Sequence, residues 1–586
     1  MQAAESRAAA SPTARLGHCL EYLRLHAQRT PDKPFVILSI GSDRRIVTYA
    51  QAWNQVLAVH HRLSAAGVPE HGVALIFLPQ GWEALAWYFG AIAHGCTASF
   101  MPLPSAKQDP DLYWASHDKL MARIAPVAII TTAEHQTQVR ENGLLVGGCV
   151  LTSAEPIQAQ EALAAIQADA TVARYLADRA DRLPILQHSS GTTGLKKGVM
   201  LSNDAIITQV EAYATAIDAS PDDVMVSWLP LYHDMGLVAC SLTPMILGQT
   251  IVLLDPFEWV ARPATLLDAI SRHHGTLCWL PNFAFDHLAR SVDLTRTDAR
   301  LDTIRAFINC SEPCQALSFR RFARTFAPIG LRETALQVCY AMAETTFAVT
   351  QTRLDRAPVT LSVDRIALHE QGIVIPSSDA DSAIELLSNG TTIEGTTIEI
   401  RDADGTVLPE GRVGEVCIRS TCLFSGYYRQ PDVTADRLHG DQYHSRDRGF
   451  TWGGGLFVLG RMDDLVIVAG RNFHAAEIET VLKGVTGLRP GRNVVFGHTN
   501  AERGTNDLIV VAETVDMADA VPAGDGYRAL RQSVRHAIFQ SLGIYPAEVR
   551  LVETGWLIKT TSGKIERGRN AIKFQQEKSQ PAVREA

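Results

Sequence analysis

Short apolar runs alternate with helix-period segments through the first two-thirds of the chain, and this rhythm constrains the fold more than any other feature. Residues 73–78 (VALIFL) form an unbroken apolar run, and residues 82–94 behind them read as a helix. Residues 127–131 (VAIIT) and 251–254 (IVLL) are further strand candidates, followed by a helix near 263–272 and another run at 277–280 (LCWL). A strand without a polar face needs cover on both sides, so strands of this kind joined by helices predict parallel sheets between helical layers. From about Gly395 the texture changes. Residues 396–401 and 414–420 alternate apolar with polar, and Asp404-Gly405 marks a turn between them. That pattern predicts an antiparallel sheet or a small, barrel-like subdomain. Beyond Arg461, a strand (465–468), a helix (475–483), a strand (507–513), a helix (526–542) and a strand (548–552) predict a separate small α/β unit. The expected class is α/β, with a large part over 1–460 and a small part over 461–586.

At 586 residues the chain is too long for one core, and about 150 residues per domain gives about four folding units. With 54 basic and 63 acidic residues the net charge is −9 and no basic stripe compensates, which argues against a nucleic-acid binder. Ten cysteines are scattered without C-x-x-C spacing or a histidine in a zinc pattern, so free thiols in a reducing, cytoplasmic compartment are expected. The opening MQAAESRAAASPTAR has no apolar centre and does not read as a secretory signal. Residues 235–254 carry no charge over a length that could span a bilayer. Pro244, Gly248 and Gln249 interrupt them, which predicts helix, turn and buried strand instead of a membrane span.

The sharpest motif is Ser189-Ser190-Gly191-Thr192-Thr193-Gly194-Leu195-Lys196-Lys197-Gly198. It follows an apolar run and precedes a helix that Ser202 or Asn203 can cap. Its glycines let backbone N–H groups turn inward, and its hydroxyls and lysines add donors, a composition suited to a polyphosphate. It is not a Walker loop, because the second glycine of G-x-x-x-x-G-K would fall at Lys196. The motif resembles the phosphate-binding signature of the adenylate-forming (ANL) superfamily, with Lys196 in place of the usual proline before the key lysine, Lys197.

Other segments match that superfamily in the same order. Residues 228–237 (WLPLYHDMGL), which include His233, resemble the segment that shapes the acyl pocket, and Ser311-Glu312-Pro313 resembles the stretch passing the adenine. Tyr340-Ala341-Met342-Ala343-Glu344 resembles Y-G-x-T/A-E, with Ala341 replacing the usual glycine. The resemblance implies that Tyr340 stacks on adenine and Glu344 holds Mg²⁺, together with a hydroxyl of Thr192 or Thr193. Asp447 matches the aspartate that binds the ribose hydroxyls, and Arg461-Met462-Asp463-Asp464 the hinge, with Arg461 near the ribose and Asp463 as pivot. Lys564, closing Lys559-Thr560-Thr561-Ser562-Gly563-Lys564, matches the lysine that bridges carboxylate and α-phosphate. Singly, His233 reads as a core histidine and Lys564 as an exposed loop lysine; their shared order overturns those readings.

The resemblance implies the ANL fold: a large domain of two parallel α/β sheets and a barrel-like subdomain, then a small mobile C-terminal domain. It implies that ATP and a carboxylic acid give an acyl-adenylate and pyrophosphate, after which a thiol takes the acyl group. Three features favour the fatty acyl-AMP ligase branch. Residues 228–237 and 281–285 (PNFAF) are similar to it. Ala343 stands where most acyl-CoA synthetases carry threonine, and Gly470-Arg471-Asn472 is similar to the ligases' G-R-N. About fifty residues separate Glu344 from Gly395, room for an insertion such as residues 363–368. The implied acceptor is the phosphopantetheine arm of a stand-alone acyl carrier protein. An acyl-CoA synthetase using CoA, an amino-acid adenylating enzyme and an inactive binding protein on the same fold are the alternatives.

Overall fold

The computed structural model describes residues 15–103, 110–141, 148–152, 159–189, 197–379, 383–468, 471–500, 505–522, 524–559 and 564–579. The apolar runs form strands buried on both faces, as Val73–Phe77, Thr250–Leu254 and Leu277–Leu280 illustrate. A nine-stranded sheet runs in the order Thr391–Thr392, Ala348–Gln351, Leu336–Ala341, Ala306–Asn309, Leu277–Leu280, Val224–Ser227, Thr250–Leu254, Pro34–Ser39, Ile46–Thr48. Its interior is parallel and its edges are antiparallel. A six-stranded sheet runs Cys149–Thr152, Ala128–Thr131, Val73–Phe77, Thr97–Phe100, Ile185–Ser189, Lys197–Leu201, parallel except for the last pair. One hydrophobic core extends through both sheets.

The helix Trp82–His94 is apolar on nearly every side because it is buried on nearly every side. It lies close on the helix Tyr49–Ala65, where a Cβ on Gly90 would come within 2.3 Å of Val59 Cγ1. The uncharged stretch becomes a buried π-helix, Met235–Leu242, a short helix, Thr243–Leu247, a left-handed turn at Gly248 and the strand Thr250–Leu254. Among the described residues no helix is long and apolar enough to cross a membrane.

The alternating segments pair as antiparallel strands. Thr396–Arg401, Gly414–Ser420, Gln442–Trp452 and Leu438–His439 lie in that order, and Gly455–Arg461 joins Gln442–Trp452. Beyond residue 464 the sheet Leu488–Asn500, Thr505–Thr514, Glu548–Val552 has one core on the face covered by the helix Asp525–Leu542 and another on its opposite face. Residues 363–368, expected as an insertion, span the end of a small hairpin strand and the turn that follows. Thr360–Asp364 pairs with Ala383–Leu387, and the turn Ala367–Gln371 lies between them. The hairpin touches the C-terminal unit: Arg365 donates to the Ser541 carbonyl, and His369 Nε2 lies 3.1 Å from Glu477 Oε2. All ten cysteines are unpaired.

Candidate active site

The site forms where neighbouring parallel strands end. Ala306–Asn309 and Leu336–Ala341 pair in register, and Ser311 and Tyr340 stand at or just past their carboxyl ends. Ligands of open α/β sheets bind at that edge, because the strand ends and following loops converge there. Ser311 adopts a left-handed φ of 69°, a conformation uncommon outside glycine. Its carbonyl accepts a 2.5 Å hydrogen bond from Lys564 Nζ, across 253 residues of sequence. A residue of the C-terminal unit thus reaches the large sheet's carboxyl edge.

Asp447 sits on the strand Gln442–Trp452, directly opposite Arg461 on Gly455–Arg461. Tyr340 Oη donates to Asp447 Oδ2 at 2.5 Å, and Arg461 Nε lies 3.6 Å from Oδ1. Asp447 N–H donates to Ser445 Oγ, which in turn donates to the Val416 carbonyl, so the carboxylate's backbone is fixed to the neighbouring strand. Burial pushes the Asp447 carboxyl above its ordinary range, although the Arg461 charge and the Tyr340 hydroxyl pull it down. Burial, then the nearby Asp447 charge, holds the Tyr340 phenol well above its usual value, so it remains a donor.

Glu344 lies in the turn Ala343–Thr345. Its Oε1 accepts from Tyr427 Oη at 2.8 Å, and Tyr427 Oη is 3.2 Å from Tyr443 Oη. Lys197 Nζ stands 4.9 Å from the centre of the Tyr427 ring. Burial and the Arg437 charge lower the Lys197 ammonium's pKa, while Glu344 opposes them. Lys197, Tyr427 and Glu344 therefore form one patch of alternating cation, ring and carboxylate. Glu344 offers a fixed carboxylate to a hard cation, and its oxygen chemistry fits Mg²⁺.

His233 Nδ1 lies 2.6 Å from Asp234 Oδ1, which also accepts the Met235 N–H at 2.8 Å and so caps the π-helix. Burial raises the Asp234 carboxyl's pKa, but His233, the Met235 amide and the Lys564 charge together hold it below its ordinary range. The charge of Lys564 thus links Asp234, in the segment 228–237, electrostatically to the lysine at Ser311. Gly236 permits the tight turn into this helix, since a Cβ there would come within 2.2 Å of the Pro230 carbonyl oxygen.

The remaining expected residues have mixed placements. Glu312 turns its carboxylate to the Phe283 N–H at 3.0 Å, at the start of the helix Asn282–Ser291. Pro313 is exposed. Ala341 pairs with Ala348, and Met342 N–H donates to the Phe347 carbonyl at 2.8 Å. Ser189 ends its strand opposite Lys197. Ser190, Gly191, Thr192, Thr193 and Gly194 lie outside the described residues, and Asp463 lies in the turn Met462–Asp464. Sequence reasoning missed Tyr427 and Tyr443. Tyr427 meets Glu344 from 83 residues away, and no local pattern marks such a partner.

Fold and site together define an adenylate-forming enzyme. The family description that matches residues 23–428 is AMP-binding enzyme, so the chain belongs to the AMP-binding enzymes. It is an adenylate-forming ligase, a class that uses ATP. The chain is 29% identical over 574 residues to the long-chain-fatty-acid–AMP ligase FadD26 of Mycobacterium marinum, covering 92% of this chain and 94% of that one. It is 29% identical over 578 residues to FadD32, a ligase of the same description from Mycolicibacterium smegmatis, covering 90% and 88%. A structure from a study of fatty acyl-adenylate ligases of E. coli and L. pneumophila shares the fold, with a TM-score of 0.85 at 23% identity over 96% of this chain and 99% of that one. The McyG adenylation–carrier structure bound to phenylalanyl-adenylate also shares it, with a TM-score of 0.78 at 19% identity over 96% and 83%.

Proposed function

We propose that this chain is a fatty acyl-AMP ligase that activates a fatty acid with ATP and passes the acyl group to the phosphopantetheine thiol of a stand-alone acyl carrier protein in the cytoplasm. The observation that carries the first step is the Lys564 ammonium held at the Ser311 carbonyl, at the sheet edge where Tyr340 ends its strand and binds Asp447. A carboxylate is a poor acyl donor because oxide is a poor leaving group; AMP is a good one. The attacking carboxylate and the α-phosphate are both anions, so catalysis needs fixed positive charge where negative charge accumulates. Lys564 bridges the two in this reading. Asp447 and Arg461 take the ribose and Tyr340 faces the adenine, while Lys197 and the loop 189–194 receive the departing pyrophosphate. Glu344, with Thr193, would hold Mg²⁺, whose charge neutralises phosphate oxygens when bound.

The names of the curated relatives and the run 228–237 support a fatty acid over an amino acid. In this reading the large domain comprises 1–460 and the small one 461–586, hinged at Asp463. The small domain swings after adenylation so that Lys564 leaves and the thiol enters. The test is mass spectrometry of products from a fatty-acid series with ATP, in parallel with holo-carrier protein and with CoA. Acyl-adenylate in every reaction and acyl-carrier in the first arm are expected. Abundant acyl-CoA would assign the chain to the synthetases, and turnover of amino acids alone would reject a fatty substrate.

A further inference from the structure

We propose that Glu415, Cys417 and His444 form a zinc site on the antiparallel sheet, separate from the nucleotide residues. Cys417 and His444 are direct partners across the strands Gly414–Ser420 and Gln442–Trp452. A bulge separates Glu415 from Cys417 in the ladder, yet both side chains converge on the same imidazole. One ligand atom from each residue lies within 4.8 Å of the other two. His444 Nδ1 is 3.2 Å from Glu415 Oε2 and 3.5 Å from Cys417 Sγ. A tetrahedral zinc ion with bonds of about 2.3 Å to sulfur and about 2.0–2.1 Å to nitrogen and oxygen has ligand edges of about 3.3 Å between N and O and about 3.6 Å between S and N. The N–O and S–N separations match those edges, and the third pair, carboxylate oxygen and sulfur, lies within 4.8 Å, so the three atoms surround a point an ion can occupy.

The surroundings suit a metal as well. The second carboxylate oxygen of Glu415 accepts the Arg446 N–H at 2.9 Å, which orients the first toward His444, as outer-shell donors do for metal ligands. Cys417 is fully buried, while the Glu415 and His444 side chains are 16% and 20% exposed, so the site sits just under the surface with room for a fourth ligand. The exposed His439 ring, centred 4.4 Å from that of His444, or a water can supply it. One sulfur, one or two nitrogens and one oxygen select zinc over Mg²⁺ or Ca²⁺. Thiolate and carboxylate balance the 2+ charge, and the Cys417 thiol proton leaves to solvent as the Zn–S bond forms. The ion would staple together the two strands that fix Asp447, three residues beyond His444, and it touches no reacting atom.

The test uses the full chain, stripped with chelator and then titrated with zinc against a chromophoric competitor, and separately with Co²⁺. The expected result is one zinc per chain retained through gel filtration, a melting temperature raised by several degrees, and a near-ultraviolet thiolate-to-cobalt charge-transfer band. Cys417→Ser should abolish the band and the retained zinc, while pyrophosphate exchange of the metal-free variant stays near the wild-type rate. If Cys417→Ser fails to fold by circular dichroism, Glu415→Gln and His444→Gln carry the test, each expected to lose the retained equivalent. Absence of stoichiometric zinc on folded wild-type protein would overturn the site. So would a charge-transfer band that persists in folded Cys417→Ser, or full zinc retention in both other variants.

Discussion

In the proposed mechanism one side chain, Lys564, carries most of the first step. Its ammonium donates to the Ser311 carbonyl and acts on Asp234, so it is anchored before substrate arrives. Lys564→Ala should lower fatty-acid-dependent ATP–pyrophosphate exchange by on the order of 10²–10³-fold, the scale of losing one electrostatic stabiliser. A near-normal rate would remove Lys564 from that step. At the other end of the chain His18 does work that no motif announced. It caps the helix Cys19–Arg29, with Nδ1 accepting the Leu20 N–H at 3.1 Å and Glu21 returning a bond to the His18 N–H at 3.0 Å. Burial holds its imidazole down at about 4, against an ordinary value of 6.5. The folded state therefore resists a proton that the unfolded chain accepts. Its contribution is intact above about pH 6.5 and is lost as pH falls toward 4, by up to about 3 kcal/mol. His18→Asn keeps a capping acceptor without the titration. Its melting temperature should fall less than the wild type's between pH 7 and pH 5, and equal slopes would rule out His18 as the source.

At the level of elements, the long uncharged stretch shows how local sequence becomes architecture. The π-helix Met235–Leu242 begins where Asp234 caps it and Gly236 passes the Pro230 carbonyl. Gly236→Ala would force that turn apart and should destabilise the protein by about 1–3 kcal/mol, the cost of overpacking. A melting temperature equal to the wild type's would show that the turn relaxes freely. Elements of this kind were legible in advance where burial is two-sided. Val73–Phe77, Thr250–Leu254 and Leu277–Leu280 are continuous apolar runs because both their faces are covered. Pairing was not legible, since nothing local says that Pro34–Ser39 lies beside Thr250–Leu254. The same limit hid Tyr427 beside Glu344 and His444 beside Cys417, contacts that exist only once distant strands align. The motifs for Tyr340, Asp447, Arg461 and Lys564 were legible as an ordered set, whereas the Tyr340–Asp447 hydrogen bond, the Arg461–Asp447 ion pair and the Lys564–Ser311 hydrogen bond were not.

The large part and the C-terminal unit have separate hydrophobic cores and meet over a polar seam. Gln315 Nε2 donates to Thr480 Oγ1 at 2.9 Å, and Lys483 Nζ donates to Gln315 Oε1 at 3.2 Å. Arg365 and His369 of the hairpin face Glu477 and Ser541 on the other side. Such a seam, made of polar contacts instead of a shared apolar core, separates at lower cost than either unit unfolds. If Asp463 is the pivot, Asp463→Pro should leave acyl-adenylate formation close to normal and abolish acyl transfer, read by trapping the adenylate and by mass spectrometry of the carrier. Equal loss of both steps would place the pivot elsewhere.

The bond from Lys564 to the Ser311 carbonyl also has a temporal side. During translation the large sheets and their core emerge first, and they can collapse while the lysine is still unmade. A nascent chain can thus form the carboxyl edge of the large sheet before the ammonium that binds there exists. If Lys564 serves the first step as proposed, competence to activate an acid waits until residue 564 is made and the last unit docks.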